Sequence, residues 1–169
     1  MTGPRQHVPA WRSPFSWPWI IGLALLAVPR ALFHDLAPLG PLPNAVLAIA
    51  PPLIWILVVV TRRAPHPFVV LLVIGCVYGA ILGVVHEATW TTVWDGHPPR
   101  LGGNLEGRLS PAVETALMRI VVFISSFVTG AIIGAVSGLV GWAVDHQRAR
   151  RNTSVLTKSD SPPTGGERH

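Results

Sequence analysis

The chain has 169 residues, half of them apolar and only 12% Asp, Glu, Lys or Arg, against roughly 25% charged residues in an average soluble domain. With a mean hydropathy of +0.47, that balance excludes a disordered chain, a coiled coil and an ordinary soluble enzyme domain. Cys76 is the only cysteine, so a disulfide scaffold is excluded as well. What remains is an all-α integral membrane protein, and the gaps between charges show how many times it crosses.

A helix needs about 20 mainly apolar residues to cross a hydrocarbon core of roughly 30 Å. Four stretches come close, near residues 18–33, 44–61, 67–86 and 116–144. They lack the alternation of barrel strands, and too little polar chain is left to cover four such helices in water. Residues 1–16 read as an N-terminal segment, 17–145 as the four-helix domain with an external loop at 87–109, and 146–169 as a basic and then disordered tail.

The first stretch carries Pro18 in its first turn, where no backbone donor is lost. Pro29 should kink it or loosen its last turn. A signal peptide is the competing reading of residues 1–33, but no small-x-small cleavage site precedes Pro29 and Arg30, which favours a retained helix. The second stretch follows a turn with two prolines, and Asn44 reads as its N-cap. Pro51 and Pro52 fall at its middle and should bend it, as a hinge or as a static kink. In the fourth, Ser110 reads as N-cap and Pro111 as the first helical residue.

The basic residues fall unevenly. Arg5, Arg12, Arg62, Arg63, Arg148, Arg150, Arg151, Lys158 and Arg168 lie on one side of the four spans. Arg30, Arg100, Arg108 and Arg119 lie on the other, diluted by Asp35, Glu87, Asp95, Glu106 and Glu114. The positive-inside rule then places both termini in the cytoplasm. Arginine outnumbers lysine twelve to one, and Ala, Gly, Pro and Val are abundant. That composition suggests a GC-rich bacterial genome and hence a multi-pass protein of the bacterial cell membrane.

Small residues recur every four positions in the last two spans: Gly75, Gly79 and Gly83, then Ser126, Gly130, Gly134 and Gly138. Residues four apart share a helix face. Such GxxxG stripes let backbones approach closely where apolar burial gives no drive to associate. The two stripes are expected to pack on each other within the chain, the alternative being a homodimer seam.

Signals for chemistry are sparse. His34, Asp35, His86, Glu87 and His97 gather at the outer level, but their spacings match no metal-ligand pattern. The plain reading is that they mark helix ends. Arg30 and Arg119 share that level, and Glu87 is expected to contact one of them, because a charge near hydrocarbon is costly unless paired. No CxxC, HExxH or GxxxxGK[ST] motif is present, so no catalytic residue and no cofactor is assigned. None of the spans carries a deep ionisable group of the kind transporters use. The expected function is therefore a non-catalytic scaffold or accessory subunit. Its partners would be the lipid bilayer and either a second copy or another membrane protein, and not nucleic acid. A small oligomeric transport or channel subunit, and a membrane enzyme or a metal- or proton-binding sensor, are the alternatives.

Overall fold

The computed structural model describes residues 16–36 and 40–159, with side chains through Arg151. The expectations for the N-terminal segment before Ser16, and for the tail beyond Ser159, lie outside the described residues. Those residues are helical with no strand. They form α1 (Trp17–Ala24), α2 (Ala27–Leu36), α3 (Pro41–Thr61), α4 (Pro67–Trp94) and α5 (Pro111–Ser159), with one 3₁₀ turn at Gly103–Leu105. Four helical units are long and apolar enough to cross a membrane: α1 with α2, then α3, α4 and α5.

Proline chemistry accounts for most of the boundaries. Span one breaks at Leu25–Leu26, in its middle and not at its far end. Pro29 has no N–H to give the Leu25 carbonyl, and its ring crowds that carbonyl, so the helix must open one turn before the proline. The loosened turn is bridged by bonds from Leu26 N to Leu23 O and from Val28 N to Leu25 O. Helix α3 starts at Pro41, with Gly40 as N-cap. This corrects the placement of the cap at Asn44: Pro41 and Pro43 both fit a first turn whose N–H groups have no partners to lose. The same helix runs through Pro51 and Pro52 without a break. Helix α5 starts at Pro111 as its sequence signal implies.

Two helices are longer than expected. Helix α4 continues to Trp94, so residues 87–94 belong to the helix and not to the loop. Helix α5 runs 49 residues to Ser159, roughly 73 Å at 1.5 Å per residue. The stretch from Asn152 to Ser159, expected to be disordered, is thus helical. Extending an existing helix gains one hydrogen bond for each residue fixed, and the Arg-Ala-Arg-Arg run leading into it consists of good helix formers.

The core sits where α1, α2 and α3 meet α4. Ala24, Ala27 and Ala31 are buried to 1% exposure or less, a small-residue stripe that brings the first span against α4. Trp55, Val59, Leu71, Ile74 and Tyr78 fill the space between them. The outward faces of α3 and α5 are the opposite: Leu42, Val46, Ile49, Leu53 and Leu57 form a broad exposed apolar row, as do Ile120, Ile124, Val128, Ile132, Val136 and Leu139. Surfaces of that extent are unsuited to water.

On its other side α4 meets α5 backbone to backbone. A Cβ built on Gly75 would lie 2.5 Å from the Gly130 carbonyl oxygen and from Gly134 Cα. One on Gly79 would lie 2.8 Å from the carbonyls of Ser126 and Phe127. Gly83 abuts the Phe123 ring, and Gly138 abuts Phe68. Both glycine stripes are therefore occupied by each other within one chain.

The α3–α4 turn is tight. Ala64 N donates to Val59 O and Arg63 N to Val60 O, the paired bonds of a Schellman end. Its left-handed residue is Arg63, at φ 50°, and His66 is left-handed as well, at φ 52°. Glycine usually occupies such positions; for an L-residue with a Cβ the conformation costs about 1–2 kcal/mol.

Candidate functional site

The polar residues of the bundle concentrate at the end that carries the 95–110 loop. Asp35 stands on the last turn of α2 with a side chain only 7% exposed. A buried carboxylate needs donors, and α4 supplies two from one face, since His86 and Thr89 are three residues apart. The imidazole Nδ1 of His86 lies 2.7 Å from Asp35 Oδ2, and the Thr89 hydroxyl donates to the same oxygen at 2.7 Å. His34 Nδ1 lies 3.2 Å from the other carboxylate oxygen. The rings of His34 and His86 meet edge to face, with centroids 6.4 Å apart.

This arrangement selects a tautomer. In the neutral ring, Nδ1–H of His86 donating to Asp35 leaves the lone pair on Nε2. Around the cluster lies a cleft of about 520 Å³, open to one side. Trp90, Trp94, Val93, Val121 and Val122 form its apolar wall, and Ser125 and Ser126 add hydroxyls from α5. The Ser126 hydroxyl is turned back to the Val122 carbonyl of its own helix.

Beside the cleft, Arg119 Nη1 lies 3.7 Å from Glu87 Oε2, with the guanidinium 5.3 Å from the Trp90 ring centroid. Glu87 Oε1 and Arg119 Nε are buried and lack hydrogen-bond partners. Arg30 takes no part in that pair; its Nη1 donates to the Tyr78 hydroxyl at 3.4 Å. The reason is axial distance: Tyr78 and Glu87 are nine residues apart on α4, roughly 13 Å along the helix. Tyr78 in turn stands edge-on to Trp55 at 5.1 Å, and the Trp55 indole donates to Leu23 O at 2.9 Å. That carbonyl lies in the turn loosened by Pro29. Two hydrogen bonds and one edge-to-face ring contact thus link α1, α2, α3 and α4.

The remaining residues singled out from the sequence are dispersed. His97 Nδ1 donates to the Asp95 carbonyl in the loop, and Leu101 N donates to the Glu114 carboxylate, tying the loop to α5. Among the described residues no group of three His, Cys, Asp or Glu side chains is arranged to hold a metal ion. The structure brings together His34, Asp35 and His86, and separately Glu87 and Arg119, while His97 stands apart. Sequence reasoning missed Thr89, Trp55 and Tyr78. Thr89 was hidden because α4 was expected to end at His86. The positions of His86, Thr89, Trp90 and Trp94, at offsets of 0, 3, 4 and 8, were the signal that a longer helix presents them on one side.

Comparison of the chain with protein-family models, curated proteins and solved structures gives no match.

Proposed function

We propose that this is a non-catalytic multi-pass protein of a bacterial cell membrane, with both termini cytoplasmic, that acts as a scaffold or accessory subunit of a membrane assembly. The observation that carries this reading is the glycine-lined contact of α4 with α5. Backbones in direct contact along several turns leave no room for a polar path between those helices, and they resist the rocking motion on which alternating access depends. The lopsided distribution of arginine supports the orientation. The exposed apolar rows of α3 and α5 are surfaces that lipid or a partner helix would cover.

The test is reconstitution of the purified chain into sealed liposomes. Flux of protons, monovalent cations and small anions should equal that of empty vesicles. Protein-dependent flux that is altered by replacing Pro51 and Pro52 with Ala would overturn the scaffold reading in favour of a transport subunit.

A second reading has one observation in its favour. The Asp35–His86 pair orients an imidazole toward a cleft, which is what a proton- or ligand-binding sensor needs. Nitrogen NMR of His86 in micelles would test it. A ring that stays in the Nδ1–H form and does not respond to Asp35→Asn would remove the basis of this reading.

A further inference from the structure

At the opposite end of the bundle, where α3 passes into α4, a cavity of about 710 Å³ is lined by Thr61, Arg63, Asp145, Arg148 and Ala149. A smaller hollow continues it toward the bundle, lined by Val59, Val60, Ala64, Pro67 and Gly141 as well as Arg63, Asp145 and Arg148. The two arginines reach this place by different routes, and each route is specific. Arg148 is anchored: its Nη1 donates at 2.9 Å to the Val60 carbonyl at the end of α3, so the guanidinium is held by the negative end of that helix and keeps its other donors. Arg63 occupies the left-handed position of the Schellman turn, at φ 50°, which glycine would take without strain. A bulky cation held in a conformation better suited to glycine points to a use for the cation. Next to them, Arg62 lies over the Trp19 ring at 4.3 Å, a tryptophan–arginine pair typical of a membrane–water boundary.

We propose that this cavity binds the phosphate of an anionic phospholipid headgroup, with Arg63 and Arg148 as the phosphate ligands. Basic pockets between helices at the membrane surface are suited to such headgroups, and guanidinium groups match phosphate oxygens in pairs. Asp145 lies in the same cavity and makes the choice narrower. A carboxylate beside the phosphate disfavours a bare phosphate ion and suits a headgroup that also carries a hydroxyl donor, such as the glycerol of phosphatidylglycerol. The exposed apolar side chains Leu57 on α3 and Val136 and Leu139 on α5 offer a surface along which acyl chains would run. The inference rests on the membrane reading of the chain but not on its orientation.

The experiment uses the full-length chain in a neutral detergent, with native mass spectrometry for lipid adducts and thermal unfolding as the second readout. The probes are phosphatidylglycerol, phosphatidylcholine of the same acyl composition, and sodium phosphate. Phosphatidylglycerol should bind and raise the melting temperature; phosphatidylcholine and free phosphate should not. Each of Arg63→Gln and Arg148→Gln should weaken phosphatidylglycerol binding about fivefold, while Arg63→Lys, which keeps the charge and loses the paired donors, should weaken it less. Arg63→Gly separates strain from binding: without lipid its melting temperature should exceed that of the unaltered chain by about 2–4 °C, yet it should bind phosphatidylglycerol about fivefold more weakly, as Arg63→Gln does. Equal binding of the two phospholipids would overturn the proposal, as would undiminished phosphatidylglycerol binding in the double variant Arg63→Gln/Arg148→Gln. Equal stabilisation by free phosphate would overturn the lipid as its source. Flotation of the chain with liposomes is scored separately: failure to float sinks the membrane reading itself, whereas flotation without lipid preference sinks only the site.

Discussion

Along the middle of its seam with α5, helix α4 presents the row Gly75, Gly79 and Gly83. Toward α2 the same helix presents Tyr78, His86 and Thr89, each engaged through a polar atom. The two faces solve one problem by opposite means. Between helices in lipid, burying apolar surface gives no net gain, so association must come from close van der Waals contact or from polar bonds. The seam achieves contact by removing side chains, and it tolerates nothing in their place. The polar face achieves specificity with a few atoms, and it tolerates substitution at a cost set by the groups left unpaired. The seam should therefore be brittle and the polar face graded.

The largest effect is expected at Gly130. A Cβ there would lie 2.5 Å from Gly79 Cα, which is backbone and cannot rotate away. Gly130→Leu should cost about 3 kcal/mol or more, seen as loss of a monodisperse folded species and a collapsed melting temperature. Gly22 is the control: nothing lies within 4 Å of a Cβ built on it, so Gly22→Ala should leave stability unchanged or raise it by up to ~1 kcal/mol. Near-native stability in Gly130→Leu would end the contrast between the two faces. Next comes Trp55, whose fully buried indole serves the Leu23 carbonyl at 2.9 Å. Trp55→Phe keeps an aromatic ring and removes the donor, at about 2 kcal/mol, measured by the same unfolding assay. A change below ~0.5 kcal/mol would mean that the bond from Leu26 alone satisfies that carbonyl.

The seam was legible in the sequence because it depends only on residue type and a spacing of four. The four apolar spans were legible for the same reason. The polar face was not, because its pairs cross between helices. His34 does meet its chain neighbour Asp35, at 3.2 Å, but the contacts that join helices are Asp35 with His86 and Glu87 with Arg119. Neighbours on a helix point about 100° apart, so adjacency in sequence is poor evidence for a shared site. The break at Leu25–Leu26 was half legible: Pro29 announced it, but the proline's effect falls on the preceding turn. The register between α2 and α4, which decides that Arg30 meets Tyr78, is set by the packing of Ala24, Ala27 and Ala31. No local pattern encodes it.

Within the polar face, Asp35 should matter most. Asp35→Asn can keep a carbonyl toward His86 and Thr89 but then sets an NH₂ against His34, so about 1–2 kcal/mol should be lost. A double-mutant cycle of Asp35→Asn with His86→Phe should return a coupling of about 1 kcal/mol, within the range found for interhelical bonds in membranes. Additivity of the two losses would show that the 2.7 Å contact contributes nothing beyond its parts.

The smallest effect belongs to Glu87 and Arg119. Their single contact is 3.7 Å long, and the two side chains are 30% and 39% exposed, so most of the Coulomb attraction is screened. One oxygen of the carboxylate and one nitrogen of the guanidinium are already without partners, which further limits what the pair can add. Glu87→Gln and Arg119→Gln should each cost about 0.5 kcal/mol. The charge swap Glu87→Arg with Arg119→Glu should recover part of the loss and not all of it. In the swapped protein no cation stands 5.3 Å from the Trp90 centroid as Arg119 does now, and an exposed cation–π contact is itself worth ~0.5–1 kcal/mol. Arg119→Lys divides these contributions, since it keeps the charge beside Glu87 but lacks the flat group that stacks on an indole. If Arg119→Lys loses as much as Arg119→Gln, the arginine is held by Trp90, and Glu87 merely lies nearby. If Arg119→Lys is neutral and the swap rescues fully, the ion pair is the sole reason for the contact, and the polar face extends one residue further around α4 than the Asp35 cluster implies.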